Sequence, residues 1–153
     1  MSIRLSEDEA WAVVQGSRTG MLTTLRADGR PVTLPVWFVA LERAIYCQTP
    51  TRARKLARIR QDPRASFLVE RGDRWKELVG VHIEGRAEIV DGDDELCARV
   101  RRALDEKYEG LGVPRGASSE TKARYAESSV IRFVPDGKLL TWDNARLGLG
   151  SGD

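Results

Sequence analysis

The chain has 153 residues, 41% of them hydrophobic, and carries 25 lysines and arginines against 23 acids for a formal net charge of +2. That is apolar material for one good core and one expected domain, and too balanced a charge for the broad basic field of a nucleic-acid-binding surface. No run of about 18 apolar residues offers a membrane span, and "MSIRLSEDEAW" lacks the basic start and apolar stretch of a signal peptide, so a cytoplasmic protein with no membrane partner is expected.

The elements follow in chain order. Ser6 with Glu9 three residues later forms a capping box, Ala10, Val13 and Val14 supply an apolar stripe, and Gly16 stands where a helix would stop. This predicts a helix within residues 1–18. The period then changes to two, and "GMLTTLRADGRPVTLPVWFVALERAIYCQT" reads as three strands over 19–26, 31–40 and 44–48. Asp28-Gly29 signals the first hairpin, and a short turn around Glu42-Arg43 the second. In the second strand Val32, Leu34, Val36 and Phe38 alternate with Thr33, Pro35, Trp37 and Val39, which predicts cover on both faces. Pro35 cannot donate to a ladder and places this strand at an edge or at an opening in a barrel.

Thr51 is positioned to cap a helix that Pro63 would end. "ASFLVE" and "ELVGVHIEGRAEIV" read as the fourth and fifth strands, with "RGDRWK" connecting them. Leu96, Val100, Ala103 and Leu104 recur at helical spacing within 91–108; "GLGVPRGASS" is a loop, and a short helix is expected over 120–126. "SVIRFVPDGKLLTWD" reads as a last strand with an irregularity at Pro135-Asp136-Gly137. The order β-β-β-α-β-β-α-β, with few crossovers, implies a mainly β fold with helices (β+α): a small barrel of about six mostly antiparallel strands. Residues 19–142 form that barrel with inserted helices, and 143–153 a tail.

One stretch concentrates charge. "TPTRARKLARIRQDPR" holds six basic residues and one acid, Asp62. On a helix Arg54 and Arg58 stack at i,i+4 with Lys55 beside them, while Leu56 and Ile59 turn inward to pack. The N-terminus of such a helix attracts anions, and Thr49, Thr51 and Arg52 add donors just before it. A solvated cationic face is the competing reading. Cys47 and Cys97 have no metal-type or CxxC spacing and are expected as buried thiols. His82, the only histidine, lies on a strand between Val81 and Ile83 and is expected as a satisfied core or interface residue. No metal-ligand set and no nucleophile–base pair is visible, so the catalytic residues stay unknown. Cofactor-borne redox chemistry is compatible with that silence.

The segments "GMLTTLRADGRPVTLPVWFV", "IYCQTPTRARKLARIRQDPRASFLVE" and "HIEGRAEIV" together resemble the flavin-binding split β-barrel of the pyridoxamine 5′-phosphate oxidase-like superfamily. They are most similar to its actinobacterial branch that binds the deazaflavin coenzyme F-420, over about residues 19–134. The resemblance implies a homodimer with two cofactor sites at its interface. It places Lys55 on the cofactor phosphate, with Arg58, Thr49 and Thr51 close by; Thr33, Pro35, Val36 and Trp37 against the flavin or deazaflavin ring; and Trp75 over the site of the second subunit. Arg52 and Arg54, with Lys55 and Arg58, exceed what the single phosphate of FMN needs and suit the oligoglutamate tail of coenzyme F-420. In "TWDNARLGLG" the spacing of Trp142 and Arg146 is similar to the tail of the vitamin-processing oxidases, where the arginine touches substrate, although Leu149 stands in place of a proline. The implied activity is hydride transfer from reduced coenzyme F-420 to a small planar acceptor. The alternatives are an FMN-dependent oxidase or reductase, and a flavin- or haem-binding or sensing protein without turnover.

Overall fold

The computed structural model describes residues 2–148; Leu149 and the residues of the expected tail after it lie outside them. Helix α1 (Glu7–Gly16) starts as expected, with the Ser6 hydroxyl accepting from the Glu9 N–H at 3.2 Å and the Glu9 carboxylate accepting from the Ser6 N–H at 2.7 Å. Strands β1 (Gly20–Leu25), β2 (Pro31–Val36), β3 (Val39–Leu41) and β4 (Ala44–Pro50) precede helix α2 (Arg54–Gln61). Then come β5 (Arg64–Arg71), a 3-10 turn at Trp75–Glu77, and the long β6 (Val79–Ile89). Helices α3 (Asp94–Lys107) and α4 (Ser119–Ala126) lead to β7 (Ser128–Pro135), β8 (Leu140–Asp143) and a last 3-10 turn, Asn144–Leu147.

All strand pairs are antiparallel, in the order β2-β1-β5-β6-β7-β4-β3, with β8 added to β6. The architecture is the split β-barrel, with four helices among the described residues. Among them eight strands stand where about six were expected, because two long runs each divide. The run over 31–40 leaves the β1 ladder at Val36, whose partner Gly20 begins β1, and resumes at Val39 against Tyr46 of β4. The last run breaks between Pro135 and Leu140, which frees β8 to pair with β6. The expected edge at Pro35 is present, since β2 pairs only with β1. Cover on both faces is not provided within the chain: Leu34 is 39% and Trp37 43% exposed.

The helix over the basic segment begins at Arg54, and Thr51 does not cap it. The Thr51 N–H is bonded to the Glu127 carbonyl at 3.2 Å, which extends the β4–β7 ladder by one residue and keeps Thr51 out of the helix. Ala53 is the N-cap and offers no side-chain acceptor.

Leu56 and Ile59 of α2, with Ala10, Trp11, Val13 and Val14 of α1, close over a barrel core centred on Phe38, Phe67 and Phe133. Phe38 meets Phe67 edge-on with ring centroids 4.9 Å apart. Burying each such ring contributes on the order of 2–3 kcal/mol. A second cluster joins Val39, Tyr46 and Val130 of the sheet to Cys97, Val100, Leu104 and Tyr108 on and just after α3. Both cysteines are buried, and burial pushes the Cys47 thiol up to about 11. None of the described helices is long and apolar enough to cross a membrane.

Candidate functional site

A concavity of about 930 Å³ opens where the end of β2, the end of β4 and the start of α2 converge. One wall is Pro35, Val36 and Trp37; the floor is Gln48, Thr49 and Pro50; Thr51, Arg52, Ala53 and Lys55 form the cationic side. Helix α4 supplies the opposite wall through Glu120, Ala123, Arg124 and Tyr125. The sequence-predicted residues Pro35, Val36, Trp37, Thr49, Thr51, Arg52 and Lys55 are thus brought together. The α4 wall was not expected. Its helix is legible in the sequence, but no motif ties it to a segment some 70 residues earlier, and only the β4–β7 pairing that follows α4 sets it there.

The Glu120 and Glu127 carboxylates also line the cleft, yet the cations around the start of α2 stay unpaired. Arg52, Arg54, Lys55 and Arg58 form no ion pair with a carboxylate among the described residues, whereas Arg64 in the same segment pairs with Asp62 at 2.7 Å. Burial pushes the Lys55 ammonium below the ordinary lysine range, with Arg58 adding to the effect and the Cys47 thiol opposing it. Burial, then repulsion from Arg26 and Arg54, lowers the Arg58 pKa likewise. With no side-chain cap on α2 and the Leu56 N–H already bonded to the Ala53 carbonyl at 3.1 Å, the N–H groups of Arg54 and Lys55 are left for whatever occupies the cleft. An anion placed here would relieve both the repulsion and the open helix end.

The other candidates are placed differently. The Arg58 guanidinium donates to the buried Thr24 hydroxyl at 2.8 Å, tying α2 to β1 beside the cleft. Thr33 shares a 2.8 Å hydroxyl contact with Thr23 on the exposed β1–β2 face, and Arg54 points outward. Trp75, Trp142 and Arg146 gather at the joined 3-10 turns, and none of them lines the cleft of its own chain. There the Asn144 amide donates to the Trp75 carbonyl at 2.7 Å, and the Trp142 ring covers Gly80 so closely that a Cβ would meet it at 2.0 Å. Arg146 is spent within the fold: it donates to Glu9 at 2.8 Å, Asp143 at 3.3 Å and the Arg4 carbonyl at 3.0 Å.

Known proteins share this architecture. A conserved hypothetical protein of Mycobacterium tuberculosis is 33% identical with a TM-score of 0.82, over 99% of this chain and 92% of that one. The haem storage protein HutZ of Vibrio cholerae superposes with a TM-score of 0.70 at 18% identity, over 93% and 96% of the two chains. A protein described as an F-420 reductase matches with a TM-score of 0.62 at 22% identity, over 82% and 92%. At these last two identities the likeness is one of fold. Residues 6–139 match the sequence pattern of pyridoxamine 5′-phosphate oxidase. With that pattern carried on the same split barrel, the chain belongs to the pyridoxamine 5′-phosphate oxidase family of flavin-binding oxidoreductases.

Proposed function

We propose that the chain is a cytoplasmic homodimeric oxidoreductase that takes coenzyme F-420 in this cleft and moves hydride from its reduced form to a small planar acceptor. One observation carries the reading: Arg52, Arg54 and Lys55, with Arg58 behind them, stand without carboxylate partners around the uncapped start of α2. Such a donor set suits phosphate and carboxylate together. The cleft is also of the size that admits a flavin-sized ligand.

The cofactor, when bound, supplies the hydride chemistry. The protein binds and orients. Lys55 and the free N–H groups of α2 would hold phosphate, and Arg52 and Arg54 would take further anionic groups of a tail. Pro35 and Val36 offer a stiff, dry surface for a ring, and Trp37 extends it. The exposed apolar side chains Leu34, Trp37 and Trp75 are those a second copy would cover.

FMN is the second reading, since it shares the ring and one phosphate. The haem reading draws on the fold shared with HutZ. The cleft lining gives it little support: among the described residues there no histidine, cysteine or methionine is available to an iron, and Tyr125 offers a phenol. Titrating coenzyme F-420 and FMN separately into the purified protein, with fluorescence quenching as readout, decides between the first two. Tight FMN binding with no deazaflavin binding reverses the proposal. Reoxidation of the reduced deazaflavin by quinones, nitro compounds and enones then tests turnover against binding alone. Sedimentation at micromolar concentration tests the dimer.

A further inference from the structure

Trp37 and Phe38 carry the chain from β2 to β3, and so from one free edge of the open barrel to the other, outside any ladder. What holds this crossing is the end of α3. The Tyr108 hydroxyl accepts from the Phe38 N–H at 2.9 Å and donates to the Arg18 carbonyl at 2.6 Å, with the Phe38 carbonyl at 3.0 Å as the alternative acceptor for the same proton. Arg18 leads into β1 and Phe38 leads into β3, so one hydroxyl joins the two sides of the split. Next to it, the Lys107 ammonium donates to the Phe38 carbonyl at 2.8 Å and lies 3.7 Å from the centroid of the Phe38 ring.

The same tyrosine reaches the cleft indirectly. Its ring lies parallel to the Trp37 indole, with centroids 4.3 Å apart and planes 2° apart. Trp37 is a wall of the cleft and 43% exposed, whereas Tyr108 is buried and does not line it. An exposed indole without such a backing would sample several rotamers and would have to be ordered when a ligand arrived; one held flat is ordered beforehand.

We propose that Tyr108 is a positioning residue for ring-bearing ligands of the cleft: it sets the Trp37 indole as a fixed wall and, with its hydroxyl, latches the split of the barrel behind that wall. The inference rests on the reading that the cleft takes a flavin-like ring. It assigns to α3, remote from the basic segment, a share in ligand affinity that no residue of the cleft lining reveals.

The test uses the intact chain and two variants, Tyr108→Leu, which removes ring and hydroxyl, and Tyr108→Phe, which keeps the stack and removes the latch. Affinity for FMN and for coenzyme F-420 is expected to fall about three- to tenfold in Tyr108→Leu. Tyr108→Phe should recover most of the affinity while melting at a lower temperature than the parent. A readout without ligand runs alongside. The emission of Trp37, obtained as the difference between each protein and its Trp37→Phe counterpart, should shift to the red and become more quenchable by acrylamide in Tyr108→Leu. Unchanged Trp37 quenching in a Tyr108→Leu protein with the parent's circular dichroism overturns the proposal, as does unchanged flavin affinity. If Tyr108→Leu does not fold, Tyr108→Met, which keeps bulk without an aromatic ring, takes its place: its Trp37 must become more quenchable than that of Tyr108→Phe, and equal values overturn the proposal. If the parent binds neither cofactor, the cofactor reading fails by itself, and the Trp37 measurement still decides whether Tyr108 holds the indole.

Discussion

Two arginine-rich regions of this molecule use the same side chain for opposite ends. Around α1 and the last turn two guanidiniums are held by carboxylates. Arg146 is bonded to Glu9 and Asp143, and Arg43 to Glu7 and, at 2.5 Å, Asp8. Glu9 serves twice, giving one oxygen to Arg146 and the other to the Ser6 N–H, so that the capping box of α1 and the C-terminal turn are fastened by one carboxylate. Around the start of α2 Arg52 and Lys55 line a cleft, with Arg54 and Arg58 close by and no carboxylate paired to any of them among the described residues. Close cations without counter-charge raise the energy of the empty protein, and a ligand that supplies the counter-charge recovers it. The paired region therefore holds the fold together, and the unpaired one is where an anion belongs.

That contrast breaks first at Lys55. Lys55→Ala is expected to weaken cofactor binding about 10- to 100-fold, the loss of one charge-assisted contact, while shifting stability by only about 0.5 kcal/mol. Arg71→Ala, beyond the cleft, should stay within about twofold in the same titration. Equal affinity of Lys55→Ala and the parent would return the basic segment to a solvated helix face. At the other end Gly80→Ala should invert the pattern. Its Cβ would overlap the Trp142 ring, and a loss of about 1–3 kcal/mol in urea denaturation is expected with cofactor affinity intact. A loss of affinity there would make the paired end part of the site.

Ser6→Ala sharpens the same point at smaller scale. It removes the hydroxyl half of the capping box and should cost about 1 kcal/mol of stability, again with no effect on binding. The smallest effect is in acid. Arg146 first, then the Ser6 N–H, hold the Glu9 pKa down from 4.5 to about 2. A carboxylate whose folded pKa lies below its unfolded value stabilises the fold above the unfolded pKa, and that contribution is lost as pH falls through the folded one. The urea midpoint of the parent should therefore decline from pH 4.5 towards 2, and the decline should be shallower in Glu9→Gln. Identical acid profiles would mean that Arg146 does not hold Glu9 in solution and is free for another partner.

Much of this was legible before any coordinates. Local signals decided α1, whose cap, stripe and stop lie within a few residues of one another, and period-two alternation decided most strands. Pro35 announced an edge because a missing N–H is a property of the residue itself. The basic segment announced a helix with Leu56 and Ile59 inward, as they are. Thr51 as its cap was wrong for a reason the segment does not contain: a carbonyl on Glu127 competes for its backbone.

Composition and spacing by themselves determined the class of fold, the elements and the place where positive charge accumulates, because propensity, periodicity and charge density act over short stretches. Which cations keep their charge free was decided only in three dimensions. Arg52 and Arg146 both stand as candidate site residues along the chain, and what separates them is the presence beside Arg146 of Asp143 and of Glu9, the latter more than a hundred residues away in sequence. The same holds for Tyr108, whose ring and hydroxyl meet Trp37, Phe38 and Arg18 only because the sheet brings its two edges back to the end of α3. Long-range pairing carries no local signature, and it is long-range pairing that makes the cleft.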